Sequence, residues 1–158
     1  MKRVIFFMVK TCIRRAKLSD YPAILKVQKD SYGLVVWNWF DLLVERLFRA
    51  DEFLIICDDT IVGFIHARRQ GLYKRHFLNS CVIPEYEGKG VATQAFLLVM
   101  AHYVGIGVTT LTCETSVQNK RALRLFTGLG FEQNGIVPHY YRTYYPNSDA
   151  LRMVKSLR

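Results

Sequence analysis

The run Val82-Ile83-Pro84-Glu85-Tyr86-Glu87-Gly88-Lys89-Gly90-Val91-Ala92 decides how this chain is read. On its N-terminal side, Arg75 to Ile83 is an apolar, strand-like segment that ends at Pro84. On its C-terminal side, an apolar helical stretch runs to about Val104 and is stopped by Gly105 and Gly107. A glycine-bearing turn thus joins a strand to a helix N-terminus. Backbone N–H groups there point outward, and the helix dipole adds partial positive charge. Glycine permits positive φ and close approach to an anion. Such a turn suits a diphosphate, although a purely structural turn also needs glycines. It is not the P-loop, because no Gly-Lys-Ser/Thr follows. Nor is it the dinucleotide fingerprint, because the third glycine is missing and the unit comes late in the chain.

Working outward, Thr11 to Ala16 reads as a short strand, and Ser19-Asp20 as the cap of a helix to about Ser31, with Pro22 in its first turn. Gly33 breaks that helix. A second helical pattern over Trp37 to Arg49 places Trp39, Leu42, Leu43, Arg46 and Leu47 at helical spacings. Phe53 to Cys57 and Ile61 to Ala67 read as a hairpin turning at Asp58-Asp59-Thr60. After the central helix, Thr109 to Glu114 is strand-like and Asn119 to Thr127 is a short helix ended by Gly128 and Gly130. Phe131 to Tyr141 and Leu151 to Leu157 are two more strands, with a turn around Pro146-Asn147-Ser148. The order β-α-α-β-β-β-α-β-α-β-β predicts an α/β fold, a mixed sheet with helices on both faces. The unit from Arg75 to Glu114 predicts a right-handed parallel crossover.

The chain has 158 residues, which fits one core. Residues 1–10 read as an extension and 11–158 as a single domain. Lys and Arg number 22 against 13 Asp and Glu, a formal charge of +9 that favours acidic or phosphate-bearing partners. The basic residues are scattered, so no dedicated nucleic-acid face is expected. Cys12, Cys57, Cys81 and Cys113 form no CxxC pair and no zinc spacing, so no metal is expected, and buried free thiols in a reducing cytoplasm are. The N-terminal run Val4 to Val9 is too short for a secretory signal core, is followed by Lys10, Arg14 and Arg15, and has no small-residue cleavage site. No stretch is long enough to span a membrane. Met8 offers a second start, since the domain pattern begins near Thr11.

The quoted loop resembles the acetyl-CoA loop of the GNAT superfamily of N-acetyltransferases, written Q/R-x-x-G-x-G/A after a strand and a proline. Asn119-Lys120-Arg121-Ala122-Leu123-Arg124-Leu125-Phe126, with Gly130-Phe131, resembles the family's N-x-x-A-x-x-L-Y…G-F segment. Ile13-Arg14-Arg15-Ala16…Ser19-Asp20 resembles its opening strand and cap. The C-terminal half is most similar to the protein N-terminal acetyltransferases, including the ribosomal-protein alanine type: Glu114 before Asn119, the pair Tyr140-Tyr141, then Asp149-Ala150 and Met153. The resemblance implies a mostly antiparallel sheet with one parallel crossover at a splayed strand pair. It implies acetyl-CoA as co-substrate, no metal, and a monomer or homodimer in the cytoplasm.

It also implies the site. Cys81, Val82, Glu87, Gly88, Lys89, Gly90, Val91, Ala92, Thr93, Asn119 and Phe126 would hold the cofactor, with oxyanion-stabilising backbone beside Cys81 and Val82. Asn119 would cap its helix and reach the cofactor arm. Glu114 is the candidate base, with an edge or capping carboxylate as its plainer role. Tyr140 and Tyr141 are candidate substrate walls and donors. Two positions depart from the family. Glu87 stands where Gln or Arg is usual, and a carboxylate pointing inward would weaken the hold on a diphosphate. Phe126 stands where a Tyr general acid is usual. Cys81 as an acylated nucleophile has no supporting His.

Amine attack needs a neutral amine. With pKa near ~7.7–8.0, roughly a tenth of an α-amine is already neutral at pH 7, whereas a lysine at ~10.4 costs ~3 kcal/mol more to deprotonate. Three functions follow: acetylation of protein or peptide N-termini, acetylation of a small amine or lysine, or a non-enzymatic acyl-CoA sensor. Of the remaining features, Trp37-Asn38-Trp39-Phe40 reads as core, and His66, His76, His102 and His139 as isolated structural or exposed residues. Arg68-Arg69…Lys74-Arg75 reads as a solvated hairpin tip or an acidic-substrate contact.

Overall fold

The computed structural model describes residues 9–33, 38–47, 50–57, 59–141 and 148–157. The strands are β1 (Thr11–Arg15), β2 (Ala50–Cys57), β3 (Thr60–Arg69), β4 (Lys74–Val82), β5 (Thr110–Ser116), β6 (Glu132–Tyr141) and β7 (Ser148–Ser156). The helices are α1 (Tyr21–Tyr32), α2 (Trp39–Leu47), α3 (Val91–Gly105) and α4 (Lys120–Gly128). These strands form one seven-stranded sheet in the order β1-β2-β3-β4-β5-β7-β6. Every neighbouring pair is antiparallel except β4 with β5, the crossover predicted around α3.

The central strand β3 is buried without a break from Val62 to Ala67, as a sheet covered on both faces requires, and successive side chains turn to opposite faces. Ile65, Ala67, Phe77, Leu111, Cys113 and Met153 turn to one face, where α3 contributes Val91, Ala95, Phe96, Val99 and Tyr103. Phe64 turns to the other, where α1 and α2 contribute Tyr21, Ile24, Val27 and Leu42. Pro138 is tolerated because β6 is an edge strand.

Several sequence expectations are corrected. Asp20 does sit at the N-cap of α1, but its side chain does not cap that helix. It turns back to accept from Lys17 N–H at 2.7 Å and from both Arg14 Nη atoms at 2.7 and 2.8 Å. The Arg14 hydrogen bonds hold the Asp20 carboxyl down at about 2, against the opposing effect of burial. We expect Asp20→Asn to lower stability by about 1–2 kcal/mol at pH 7, the scale of a charged hydrogen bond. Because the folded pKa is depressed, that contribution is full above the unfolded value of ~3.9 and disappears as pH falls through about 2. Urea unfolding at pH 7 and near pH 2 checks this. A stability difference that persists at the acid end would rule it out.

The second helix begins at Trp39, not Trp37, because Asn38 and Asp41 exchange reciprocal bonds: Asn38 N–H to Asp41 Oδ2 at 2.9 Å and Asp41 N–H to Asn38 Oδ1 at 3.0 Å. Trp37 lies outside the described residues. Trp39 and Phe40 are not core: they are 48% and 69% exposed, and among the described residues of α2 Leu42 is the one fully buried. Cys12 is likewise exposed, on edge strand β1, whereas Cys113 is buried and Cys81 half-buried. The Cys57 side chain lies outside the described part, as do residues 1–8 and the predicted turn residues Asp58, Pro146 and Asn147. Nor is the β3–β4 tip wholly solvated. Arg75 is buried, donates to the carbonyls of Gly71, Leu72 and Lys74, and lies 5.5 Å from the centre of the Tyr103 ring.

Candidate active site

The parallel pairing of β4 with β5 runs from Lys74 opposite Thr110 to Phe77 opposite Cys113 and goes no further. Both strands continue, β4 to Val82 and β5 to Ser116, so they part and leave a gap. The β3–β4 register explains the parting. His66 pairs with Asn79 and Ala67 with Phe77, so Leu78 is an extra, bulged residue. A bulge bends its strand, and this one falls where β4 leaves β5. Beyond the bend, opposite Val82, Gly63 is obligatory. A Cβ there would collide with Cys81 O and stand 3.2 Å from Val82 Cα.

The polar edge of β4 in the gap follows from strand alternation. Ile83 N–H donates to Val62 O at 2.8 Å. Odd-numbered residues here therefore face β3, while Ser80 and Val82 turn their backbone groups into the gap. Their carbonyls are occupied: Tyr32 Oη donates to Ser80 O at 2.7 Å and Ser31 Oγ to Val82 O at 3.2 Å. What β4 offers the gap is N–H. Cys81 is not a nucleophile. Burial pushes its thiol up to about 12, so the reactive thiolate is absent at neutral pH.

Beyond β4, a single 3-10 turn, Pro84–Tyr86, leads into the glycine loop. Gly88 and Gly90 have φ of 71° and 78°, the left-handed region. Gly90 is the N-cap of α3, with no side chain to cap it. The helix ladder begins at Gln94 N–H, which donates to Gly90 O at 3.0 Å. Among the described residues, the N–H groups from Gly88 to Thr93 have no carbonyl acceptor. Around Gly88 there is open space, and a Cβ at Gly90 would meet only Gln94 Nε2, at 4.0 Å. A row of outward N–H groups at a helix N-terminus, with room before it, is an anion cradle. Lys89 adds a cation beside it, its Nζ 5.2 Å from the centre of the Tyr86 ring. The carboxylate of Glu87 is paired with Arg121 Nη1 at 2.6 Å.

On the β5 side, Glu114 is the first residue past the last β4 pair. Its Oε2 lies 2.9 Å from His76 Nε2 and its Oε1 accepts from Arg152 Nε at 3.3 Å. The other His76 nitrogen, Nδ1, is 2.9 Å from Thr112 Oγ1. Burial lowers the His76 pKa, more than the Glu114 charge raises it, so the ring is neutral at pH 7. The carboxylate can only accept, which places the ring proton on Nε2 and makes Thr112 the donor to Nδ1. His76 is therefore not isolated, as the sequence suggested. Parallel pairing sets it opposite Thr112, two residues before Glu114. Of the other histidines, His66 is fully buried, and His102 and His139 are exposed.

The two tyrosines differ. Tyr141 Oη donates to the Glu114 carbonyl at 3.1 Å. Tyr140 is 48% exposed, its ring 5.0 Å from that of Tyr141. Desolvation first, and then the Glu114 charge, raise its pKa, which keeps the phenol protonated. The β6 backbone that carries Tyr140 bulges at Pro138–Tyr140, where His139 has a φ of 50° and its N–H is taken by Asp149 Oδ1 at 2.9 Å. Asn119 Oδ1 accepts from Ala122 N–H at 3.0 Å, so its capping role is met. Phe126 is 7% exposed, edge-on to Phe96 and Phe131 at 5.3 and 5.2 Å. No described group of His, Cys, Asp and Glu could hold a metal ion, and no described helix is long and apolar enough to cross a membrane.

Three comparisons bear on this geometry. The pattern of the acetyltransferase (GNAT) family matches residues 8–131. Spermidine N(1)-acetyltransferase of Escherichia coli K12 is 26% identical over 141 residues, covering 80% of this chain and 76% of that protein. An N-alpha-acetyltransferase of Sulfurisphaera tokodaii is 25% identical over 143 residues, covering 82% and 84%. In fold, the chain is similar to the ribosomal-protein-S18-alanine N-acetyltransferase from Escherichia coli, with a TM-score of 0.84 at 22% identity over 93% of this chain and 94% of that one.

Proposed function

Since this chain belongs to the GNAT acetyltransferase family and is an N-acetyltransferase, we propose that its acceptor is the α-amine of a protein or peptide N-terminus. The carrying observation is the charge around Glu114. Among the described residues, Glu114 is the carboxylate where β4 and β5 part, with Arg152 on one oxygen and neutral His76 on the other, while Glu87 at the mouth is neutralised by Arg121. That suits a single ammonium group. A polyamine carries several, and each would need its own carboxylate beside the Arg152 cation. An α-amine also asks less of a base than a lysine does, by ~3 kcal/mol. The small-amine reading draws on the similarity to a spermidine acetyltransferase.

The cradle fits the family's donor, acetyl-CoA. The N–H groups of Gly88 to Thr93 have no backbone acceptor, both glycines are left-handed, and a Cβ on either would meet at most Gln94 Nε2 at 4.0 Å. The donor supplies an acetyl group activated as a thioester. In this reading the Gly88 to Thr93 backbone and Lys89 hold its diphosphate, and the gap between β4 and β5 admits its arm past Cys81 and Asn119. The Val82 N–H, turned into the gap, donates to a carbonyl oxygen that gains charge there. Phe126, held by Phe96 and Phe131, keeps water from the inner end. Glu114 takes the amine proton, directly or through one water.

A panel of N-terminal peptides, internal-lysine peptides and polyamines tests the acceptor. We expect kcat/KM highest for N-terminal peptides. A preference for spermidine would overturn the reading. The cradle is tested separately. Gly90→Asp keeps a residue type that tolerates left-handed backbone but sets a carboxylate against the diphosphate. We expect CoA affinity in calorimetry to fall tenfold or more, ~1.4 kcal/mol. Unchanged affinity in a folded variant would remove the loop from the site.

A further inference from the structure

Glu87 is the residue that simple electrostatics would least place beside a diphosphate. The sequence alone suggests a penalty, and the structure shows what the carboxylate does instead. Glu87 follows β4, whereas Arg121 lies in the first turn of α4, which follows β5. The 2.6 Å ion pair between them therefore spans the mouth of the gap from one side to the other. Both side chains are substantially exposed, at 37% and 57%. An exposed pair of this kind contributes little to fold stability. Its consequence is positional. It neutralises the Glu87 charge and holds a guanidinium beside the free N–H groups of Gly88 to Thr93, with Lys89 as a second cation. One Arg121 nitrogen is used by Glu87, and the remaining N–H donors of the fork are available to phosphate oxygens.

We propose that Arg121, held across the gap by Glu87, is a phosphate-binding residue for the CoA donor, and that Glu87 is its positioning residue. The inference rests on the cofactor-loop reading and is independent of the acceptor. It makes a prediction with an unexpected sign. If Glu87 acted only through its charge, removing that charge would tighten the binding of a polyanion. If Glu87 positions Arg121, removing it loosens binding.

Calorimetry with CoA on the full chain decides, with denaturant unfolding to confirm that each variant folds. Arg121→Ala should weaken CoA by ~10-fold, the scale of one charged phosphate contact. Glu87→Gln should weaken it by ~3-fold at low salt, and the double variant should bind no worse than Arg121→Ala alone, because the two act as one unit. Dephospho-CoA identifies the phosphate. An Arg121→Ala effect that persists with it assigns the diphosphate, and one that vanishes assigns the ribose phosphate. Tighter CoA binding by Glu87→Gln, or unchanged binding by Arg121→Ala, would reduce the pair to a surface ion pair and overturn the proposal. Loss of the Gly90→Asp effect would instead sink the loop reading itself.

Discussion

Glu114→Gln should lower kcat by on the order of 10²-fold while leaving CoA affinity unchanged, the signature of a lost base and not a lost binding contact. The substitution keeps size and hydrogen-bonding length, so the strand beyond Phe77 and Cys113 should keep its course. What it removes is the capacity to accept a proton. Both carboxylate oxygens are held, one by His76 Nε2 at 2.9 Å and one by Arg152 Nε at 3.3 Å. The side chain is thus fixed in direction, and the amine or its water must approach along the lone pairs that remain. A glutamine can still accept from one neighbour but must turn its amide N–H₂ toward the other, so part of the loss will be misplacement. Thr112→Val separates the two effects. It removes the Oγ1 contact to His76 Nδ1 without touching the carboxylate, and it should give a smaller loss. Measured kcat at neutral pH is the check. A Glu114→Gln enzyme with wild-type turnover would return Glu114 to the role of an edge carboxylate.

The same cluster marks where sequence reading stops. The loop at Gly88 and Gly90 was legible because positive φ leaves a chemical trace, glycine, at the position that needs it. Asn119 was legible for a similar reason, since a cap needs a short side chain with an acceptor. Glu114 stood out only through the family resemblance. His76 did not stand out at all, because its partners arrive through parallel pairing with β5, whose register no local signal encodes. The bulge at Leu78, which opens the gap, carries no glycine or proline to announce it. The Glu87–Arg121 bridge joins residues on opposite sides of that gap. Asp20 sat at a cap position and looked like a cap, but a nearby guanidinium was the stronger partner for its carboxylate. Spacing therefore located the elements, and the contacts between distant elements had to be seen.

Tyr140→Phe should cost kcat by ~10²-fold, the contribution of a positioned general acid, whereas Phe126→Tyr should preserve CoA binding and supply no comparable gain. Phe126 stands where the family usually carries a tyrosine, so some other group must protonate the departing sulfur or the sulfur must leave unassisted. The structure separates the candidates. The Phe126 ring is 7% exposed and edge-on to Phe96 and Phe131, so a hydroxyl added there meets a packed aromatic cluster. Tyr141 has its hydroxyl committed to the Glu114 carbonyl at 3.1 Å. Its loss should act through the placement of Glu114, as a modest fall in kcat with some loss of stability. Tyr140 is half exposed, close enough to Glu114 to feel its charge, and kept protonated by desolvation and by that charge. It is the phenol left with a proton to give. The test is a comparison of the three single variants under saturating donor, with acceptor KM recorded alongside kcat. A selective fall in kcat for Tyr140→Phe assigns it the acid role. An unchanged kcat, or a rise in KM alone, would make Tyr140 a wall of the acceptor site and leave the sulfur to depart as the free thiolate.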